Sequence, residues 1–300
     1  MMSTYNGEKY LAEQLESCLQ QKDVAVDILV RDDGSKDGTV SLLEKYCQKY
    51  ENVRYYVGDN CGVAKSFLNL VERAEDSYDY YAFCDQDDVW DADKMKVAVD
   101  FLKQVSDKNL PGMYYCGVEM VDKHLHPIGE NFKPEECTQN LKKTLHTFGV
   151  IKGCTMVINV PLMQEIKKNQ PSVLKMHDDW IHKVCLSLQG SVIGDSKCHM
   201  KYRMHEDNVT GSRKVGKRFR KLLHIIFSED KCVYSKMAKE LIEMYGERLS
   251  EKDFEALNRI SNYKKNWKNR WGLLKEDCSK VYLMKREFWN LKFRIMIGIF

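Results

Sequence analysis

Along the first 200 residues, short apolar runs alternate with segments whose apolar residues recur every three or four positions. The runs are typical of buried strands, and the periodic segments are typical of amphipathic helices. The predicted strands lie at 24–30, 53–57, 78–84 and 112–120. The predicted helices lie at 6–21, 36–50, 62–74 and 91–105. This alternation predicts a mainly parallel central sheet covered by helices, an α/β fold.

The pattern is less regular after residue 120. Residues 150–166 predict a loop, a strand and then a helix that Pro161 opens, and residues 176–190 predict another helix. A strand is predicted from residue 198, running into a polar loop, and everything from about residue 213 has helical periodicity. We therefore expect two regions, an α/β domain over 1–212 and a helical C-terminal region over 213–300.

Three polar clusters follow predicted strands or the chain start. They read STYNG (3–7), RDDGSKDGT (31–39) and CDQDD (84–88). Ligands of such sheets bind beyond the carboxyl ends of the strands, so the clusters predict one binding site. Only Met1 and Met2 precede the first cluster. Because strands usually run about five or six residues, we expect a short first strand.

Asp85 and Asp87 are the first candidates for chemistry. Residues two apart along a strand point to the same side, and paired carboxylates suit Mg²⁺ or Mn²⁺ better than zinc. The alternative is a solvated acidic turn in which Asp91 caps the next helix. The apolar run before Asp85 and the sheet context favour the cation site.

Further candidates lie at later loops. Asp33, beside a flexible Gly34, is placed to accept hydrogen bonds from a nucleobase or ribose, although an Asp-Gly turn is the simpler explanation. Asp178 opens a helix, as a general base or as a plain N-cap. Arg203 and His205 alternate on a strand and would share one side, where they suit a phosphate and a cation.

Composition narrows the class of protein. The chain has 300 residues and 11 cysteines without a CxxC pair, which indicates reduced thiols rather than a zinc ribbon or a disulfide framework. The first 20 residues lack the apolar core of a secretory signal, and no stretch approaches the roughly 18 apolar residues of a membrane span. We therefore expect a cytoplasmic protein.

Charge is distributed unevenly. Residues 215–300 hold 20 Lys and Arg against 11 Asp and Glu, whereas the chain as a whole has a net charge of +3. A basic tail on an acidic body suits an anionic surface, membrane lipid or nucleic acid, and the alternative is a solvated helical face. The last stretch, FWNLKFRIMIGIF, suits an interfacial amphipathic helix, with core packing as the alternative.

Seven motifs together resemble a known family. They are STYNG (3–7), RDDGSKDGT (31–39), NCGVAKSF (60–67), FCDQDDVW (83–90), GCTM (153–156), HDDW (177–180) and YRMHEDNVTG (202–211). In order and spacing they resemble family 2 glycosyltransferases of the GT-A fold, most of all the bacterial rhamnosyltransferase-type members that build cell-wall or capsular polysaccharide. The resemblance covers about residues 3–211.

The resemblance implies inverting transfer of a sugar from a dTDP- or UDP-linked donor, with Mn²⁺ or Mg²⁺ as cofactor. It implies Asp178 as the catalytic base, with Asp179 as the alternative, and Asp85, Asp87 and His205 as metal ligands. The donor-binding residues that it implies are Thr4, Tyr5, Asn6, Asp32, Asp33, Lys65, Asp85 and Arg203.

The implied acceptor is a glycan or a lipid-linked glycan, met at the inner face of the cell membrane, with peripheral contact through the basic tail and no nucleic-acid partner. Two other functions remain open at this point. A sugar-phosphate nucleotidyltransferase would share the sheet and the cation, but STYNGEKY supplies no Gly-rich phosphate loop with Arg and Lys. A non-catalytic module that binds a nucleotide sugar or a membrane would show no metal-dependent nucleotide binding.

Overall fold

The computed structural model describes most of the 300-residue chain. The described residues are 1–104, 107–129, 131–132, 139–144, 151–205, 232–275, 292–298 and 300. The strands are β1 (Met2–Thr4), β2 (Ile28–Asp32), β3 (Val53–Val57), β4 (Tyr80–Ala82), β5 (Val89–Trp90), β6 (Gly112–Val121), β7 (Val157–Asn159) and β8 (Ser191–Arg203). The first seven helices are α1 (Leu11–Leu19), α2 (Thr39–Lys49), α3 (Val63–Arg73), α4 (Lys94–Lys103), α5 (Leu141–Thr144), α6 (Val160–Lys168) and α7 (His177–Ser187).

The strands form two sheets that meet at β1. The first sheet is parallel and has the order β1-β2-β3, and the second has the order β4-β7-β6-β8-β5. A parallel bridge between Met2 and Cys84 joins them. Strands β6 and β8 pair in parallel, whereas β7 runs antiparallel to β4 and β6, and β5 runs antiparallel to β8. The prediction of a mainly parallel α/β sheet is confirmed for the described residues.

The predicted short first strand is confirmed, since β1 has three residues and pairs with β2 from Met2 to Thr4. Strand β3 lies where it was predicted. Strand β2 begins at Ile28 rather than residue 24 and continues to Asp32, so the carboxylate itself belongs to the strand. The predicted 78–84 strand is three residues long, Tyr80–Ala82, and the chain beyond it bends.

The last strand shows where pattern reading was wrong. We expected it from residue 198, but β8 begins at Ser191. Its first half contains Gly194, Asp195, Ser196 and Lys197, which are poor strand formers, yet it pairs in parallel with β6 through an irregular register. The polar loop predicted to follow it begins at residue 206, outside the described residues.

Local signals explain two helix starts. Asn159 accepts a hydrogen bond from the Leu162 amide at the start of α6, and Pro161 occupies its first turn, as the sequence predicted. In the C-terminal region, Ser250 accepts a hydrogen bond from the Asp253 amide and so begins the helix Glu251–Ser261. The neighbouring helices there are Val233–Tyr245 and Trp267–Lys275, and residues 292–297 form a final helical segment.

The C-terminal helices share a core with the sheet layer. Met237 and Leu241 belong to the same buried cluster as Trp180 and Ile181 of α7. Residues 206–231 contain the predicted boundary at 212 and lie outside the described residues, so the two-region division stays a prediction. In the described ranges no helix is long and apolar enough to cross a bilayer. All nine cysteines in those ranges are free thiols, as expected.

Candidate active site

The first two polar clusters meet at the ends of β1 and β2. Thr4 Oγ1 donates a hydrogen bond of 3.1 Å to Asp32 Oδ1, and the Asp33 amide donates to the Thr4 carbonyl at 2.8 Å. Asp32 Oδ2 accepts from the amides of Gly34 and Ser35 at 3.1 and 2.8 Å. Asp32 is buried and both of its oxygens fold the loop that follows β2. Thr4 and Asp32 therefore lie together, as expected from the first two polar clusters. Their contact with the sugar donor stays a prediction.

Asp33 links that loop to the start of α3. Burial alone would raise its pKa, but hydrogen bonds from the Arg31 guanidinium and from the amides of Cys61 and Gly62 outweigh it and lower the pKa. The two amide bonds are each 2.9 Å long. Gly62 has φ of 81°, a left-handed conformation that glycine adopts without strain. Asp33 is thus held as a carboxylate at this edge, and its predicted nucleoside contact remains to be tested.

Tyr5, Asn6 and Lys65 line the open side of the same edge. The Tyr5 amide donates to Gln86 Oε1 at 2.8 Å, so the first cluster is tied to the third. Asn6 lies in the left-handed region with φ of 48°, and its Oδ1 accepts from the Lys36 amide at 2.9 Å. Lys65 is exposed in the first turn of α3. These placements leave the Tyr5 ring, 45% exposed, free to face a ligand.

The acidic cluster after β4 is tighter than its sequence spacing suggested. Ligand atoms of Asp85, Asp88 and Cys154 all lie within 4.8 Å of one another, a group able to hold a metal ion. The strand argument for Asp85 and Asp87 does not apply, because β4 ends at Ala82 and the acids lie in a bend. Asp87 is nevertheless close, since its charge raises the pKa of Asp85.

Asp88 was not singled out from the sequence. It is fully buried, its Oδ1 accepts from the Arg203 amide at 3.2 Å, and burial raises its pKa well above the ordinary value, with Asp87 and Asp85 adding to the rise. Among the described residues Asp88 Oδ2 accepts no hydrogen bond of normal geometry. The nearby Cys154 thiol lowers the pKa of Asp88, but this effect is smaller than the effect of burial. An orphaned, buried carboxylate oxygen facing other acids fits a site that a cation completes.

Asp87 and His205, two of the predicted metal ligands, are in direct contact. His205 Nε2 lies 2.7 Å from Asp87 Oδ2, and the imidazole lies 5.0 Å from the ring of Tyr10. This contact joins the end of β8 to the acidic bend across 118 positions of sequence. Their role as metal ligands stays a prediction.

Arg203 lies at the site in a buried position. Its Nε donates to the Asp87 carbonyl at 2.7 Å and its Nη1 to the Lys123 carbonyl at 2.9 Å. A salt bridge to Glu13 and a guanidinium-to-ring distance of 4.5 Å to Tyr10 surround the rest of the group. These contacts fix the acidic bend to β8, and the phosphate contact predicted for Arg203 is a second role that nothing yet tests.

The two acids that begin α7 have different surroundings. Asp179 forms a buried salt bridge with Lys183, one turn later on the same helix. Asp178 instead accepts hydrogen bonds from the amides of Gly153 and Asp179, at 3.1 and 2.7 Å. Burial, together with the charge of Asp179, raises the pKa of Asp178 to about 7.

The charge of Asp178 affects the pKa of Asp85. Burial, then the charges of Asp87 and Asp178, raise the pKa of Asp85 to about 7, while Lys152 opposes the rise. Burial also raises the pKa of Asp179, and its salt bridge with Lys183 opposes that rise. Two buried carboxyls that interact and have pKa values near neutrality are typical of catalytic sites.

Two further residues of this site were not assigned a role from the sequence: Lys152, immediately before the GCTM motif, and His177, the first residue of the HDDW motif. Lys152 Nζ lies 4.3 Å from the ring centre of Tyr202 and is the cation nearest in effect to Asp85. His177 is buried against Phe67, with ring centres 4.0 Å apart, and burial lowers its pKa to about 3. His177 is thus a neutral packing residue. Its position immediately before Asp178 was the only sequence signal for it.

Comparison with known proteins shows the family and the fold of this chain. Residues 1–164 match the family described as "Glycosyl transferase family 2". Over 221 residues the chain is 31% identical to the dTDP-rhamnosyl transferase RfbG of Shigella flexneri, an alignment that covers 70% of this chain and 74% of RfbG.

Two solved structures show the fold. TarS 1–349 of S. aureus, in complex with UDP-GlcNAc, superposes with a TM-score of 0.59 at 17% identity, covering 99% of this chain and 80% of that one. The mannosyltransferase PcManGT of Pyrobaculum calidifontis, in complex with GDP-Man and Mn²⁺, gives a TM-score of 0.50 at 12% identity, covering 99% of this chain and 84% of that one. The chain therefore has the GT-A architecture of these two transferases, as predicted.

Proposed function

Because this chain belongs to glycosyltransferase family 2, we propose that it transfers a hexose, with rhamnose as the first candidate, from a nucleoside diphosphate donor to a glycan acceptor with inversion at the anomeric carbon. The observation that supports this most is the electrostatic interaction of two buried carboxyls, because the charge of Asp178 raises the pKa of Asp85 and both groups have a pKa of about 7. A base and a charge-binding carboxylate in that arrangement suit displacement of a diphosphate by a hydroxyl.

The proposed chemistry is a single displacement. The Asp178 carboxylate removes the proton of an acceptor hydroxyl, and the oxygen of that hydroxyl forms a bond to the anomeric carbon. The bond between the anomeric carbon and the diphosphate oxygen breaks, and its electron pair leaves with the diphosphate. Attack from the face opposite the leaving group inverts the configuration, and the proton ends on Asp178. Because the salt bridge to Lys183 neutralises Asp179, Asp178 is the better candidate for the base.

A divalent cation fits the acidic cluster. Asp85, Asp88 and Cys154 present ligand atoms close together, and Asp88 Oδ2 lacks a full partner among the described residues. The cation, when bound, would neutralise charge on the leaving diphosphate. In our proposal Asp85 and the Asp87–His205 pair hold it from the open side of the cluster, as the family resemblance implies. Hard oxygen donors favour Mn²⁺ or Mg²⁺ over softer ions.

The donor is proposed to be a dTDP-sugar, since RfbG is a dTDP-rhamnosyl transferase and is 31% identical to this chain over 221 aligned residues. A UDP-sugar is the second candidate, because the superposed TarS structure holds UDP-GlcNAc. Thr4, Tyr5, Asn6, Asp33 and Lys65 are proposed to surround the nucleoside and diphosphate, because they lie at the edge where the first two clusters meet. The acceptor is proposed to be a lipid-linked glycan at the cytoplasmic face of the membrane.

The test is a donor panel with mass-spectrometric readout. The purified chain is incubated with dTDP-rhamnose, UDP-GlcNAc or GDP-mannose in the presence of a bacterial lipid extract that supplies lipid-linked glycan acceptors, each with Mn²⁺ or with a chelator, and released nucleoside diphosphate is measured. We expect release from the dTDP-sugar, dependent on the cation and lost in the Asp178→Asn variant. Absence of release from every donor, with wild-type folding intact, would contradict the proposed transfer. Release that Asp178→Asn preserves would contradict the assignment of the base.

A further inference from the structure

Two tryptophans are exposed on one face of the helix Trp267–Lys275. Trp267 is 69% exposed and Trp271 is 56% exposed, although large aromatic side chains are normally buried. Residues four apart lie on the same side of a helix, so the two indoles form one patch. On the opposite side of this helix Leu273 is buried in the main hydrophobic cluster. The helix is therefore packed on one side and apolar on the other.

The final helical segment extends this patch. Lys292 Nζ donates to the Leu273 carbonyl at 3.0 Å, which places residues 292–297 beside the end of the tryptophan helix. Ile295 is buried, whereas Phe293, Met296 and Ile297 are exposed and lie three or four positions apart, on one side.

At the other end of the segment, a side chain at Gly298 would approach Arg270 Nη2 at 3.5 Å and Lys264 Cε at 4.0 Å. The segment therefore runs alongside Trp267–Lys275 in the opposite direction.

The same two segments carry positive charge alone. Residues 262–275 and 292–300 contain seven Lys and Arg and no Asp or Glu. Lys264, Lys265 and Lys268 are exposed around Trp267. We call the exposed side chains of Lys264, Lys265, Trp267, Lys268, Trp271, Phe293, Met296 and Ile297 the aromatic–basic surface.

We propose that the aromatic–basic surface binds the surface of a bilayer that contains anionic phospholipid. Indole rings partition to the depth of the headgroups, lysines attract anionic lipid, and exposed aliphatic side chains such as Met296 and Ile297 insert beside the acyl chains. A nucleic acid would match the charge but not the aliphatic residues, and a protein partner would match the apolar residues without requiring this excess of one sign. The bilayer is the partner whose chemistry fits both halves of the surface.

The region also offers its own control. Phe254, on the helix Glu251–Ser261, is 40% exposed, but its sequence neighbours Asp253 and Glu255 are acidic. An exposed aromatic residue in acidic surroundings is not expected to bind an anionic bilayer. Comparison of Phe254 with Trp267 therefore separates the effect of the proposed surface from a general effect of exposed aromatic rings.

The experiment is co-sedimentation of the full chain with two kinds of vesicle. One is phosphatidylcholine containing about 30% phosphatidylglycerol, which is anionic, and the other is phosphatidylcholine alone, which has no net charge. We expect binding to the anionic vesicles, at least about tenfold weaker partition for Trp267→Ala/Trp271→Ala, and unchanged partition for Phe254→Ala. For Lys264→Gln/Lys265→Gln/Lys268→Gln we expect loss of the preference for phosphatidylglycerol and of the sensitivity to salt.

Circular dichroism of each variant confirms that it folds. Equal partition of the tryptophan variant and the wild-type chain, or equal binding to both vesicle types, would overturn the proposal. Binding to a single-stranded oligonucleotide that the vesicles cannot displace would overturn it in favour of nucleic acid. Release of nucleoside diphosphate in the absence of vesicles is measured in parallel and is expected to be the same in all these variants. Failure of the transfer reaction and failure of lipid binding are therefore observed separately.

Discussion

The acidic site, formed by Asp85, Asp88 and Asp178, and the aromatic–basic surface have opposite charge. The first contains charged groups that are buried, and the second contains apolar groups that are exposed to water. In the acidic site, burial raises the pKa values of Asp85, Asp88 and Asp178. On the C-terminal helices, Trp267 and Trp271 are apolar groups left in water.

Each arrangement is unfavourable for the isolated chain, since desolvated charge and hydrated apolar area both carry a free-energy cost. In our proposals each cost falls when a ligand binds, a cation and a diphosphate at the acidic residues and a lipid surface at the aromatic–basic surface. In both regions the candidate site consists of groups whose surroundings are unfavourable until a ligand binds. Because the two regions differ in chemistry, each can be perturbed without the other.

The largest effect that sharpens this comparison is expected at Asp178. Asp178→Asn removes the base and should lower kcat by about a thousandfold, within the usual range for general base catalysis. Donor affinity should stay near the wild-type value, because the amide keeps the volume and an acceptor oxygen for the Gly153 amide. Steady-state kinetics and nucleotide titration measure the two quantities. Asp179→Asn, measured per folded molecule, is the matched control and should retain kcat.

The next effect concerns stability and pH. The pKa of Asp178 is about 7 in the folded chain and about 3.8 in an unfolded one, so the folded state binds the extra proton between those values. The free energy of unfolding therefore falls as pH rises from 4 to 7 through this group. Asp178→Asn should raise stability at pH 8 by up to a few kcal/mol, and by less at pH 5. Urea unfolding in the presence of a chelator gives both values.

The neighbouring acid should behave in the opposite way. Asp179→Asn removes the carboxylate that forms the buried salt bridge with Lys183 and should lower stability at pH 8 by about 3 kcal/mol. If both asparagine variants destabilised the chain equally at pH 8, the distinction between the two carboxyls would be wrong.

A smaller effect is expected at His205. His205→Ala should weaken donor binding by about ten- to a hundredfold when Mn²⁺ is present and little when a chelator is present. His199 of β8 is the matched control, because it faces Asp195 and Asp93 rather than Asp87, whereas His205 lies two residues beyond the end of β8. Isothermal titration with a nucleoside diphosphate measures the affinities. The same loss with and without the cation would show that His205 only supports the fold of the bend.

The smallest effect tests whether the two regions are energetically separate. Ser250→Ala removes the cap of the helix Glu251–Ser261 and should cost about 1 kcal/mol of unfolding free energy. Vesicle partition and donor affinity should both stay unchanged at temperatures where the chain is folded. Ser261→Ala, at the other end of that helix, should cost less. Loss of donor affinity in Ser250→Ala would mean that the C-terminal helices stabilise the conformation of the donor-binding residues directly.

The sequence by itself determined most of the order of elements, the short first strand, and the three polar clusters at one edge of the sheet, although it did not predict β5 or the first half of β8. It could do so because apolar periodicity and the end of a strand are local properties, readable from β3 or from Pro161 at the start of α6. Motif order likewise led to the family and to Asp178, although HDD alone did not separate the two acids.

Only the tertiary structure decided which groups meet. The pairing of Asp87 with His205, the approach of Cys154 to Asp85 and Asp88, and the engagement of Asp179 by Lys183 depend on how the sheet and α7 pack. The first half of β8 is a strand because β6 lies beside it, not because its own residues favour one. Local pattern carries free energy over a few residues, whereas burial, pKa and ligand geometry arise from atoms that are far apart in the chain and adjacent in space.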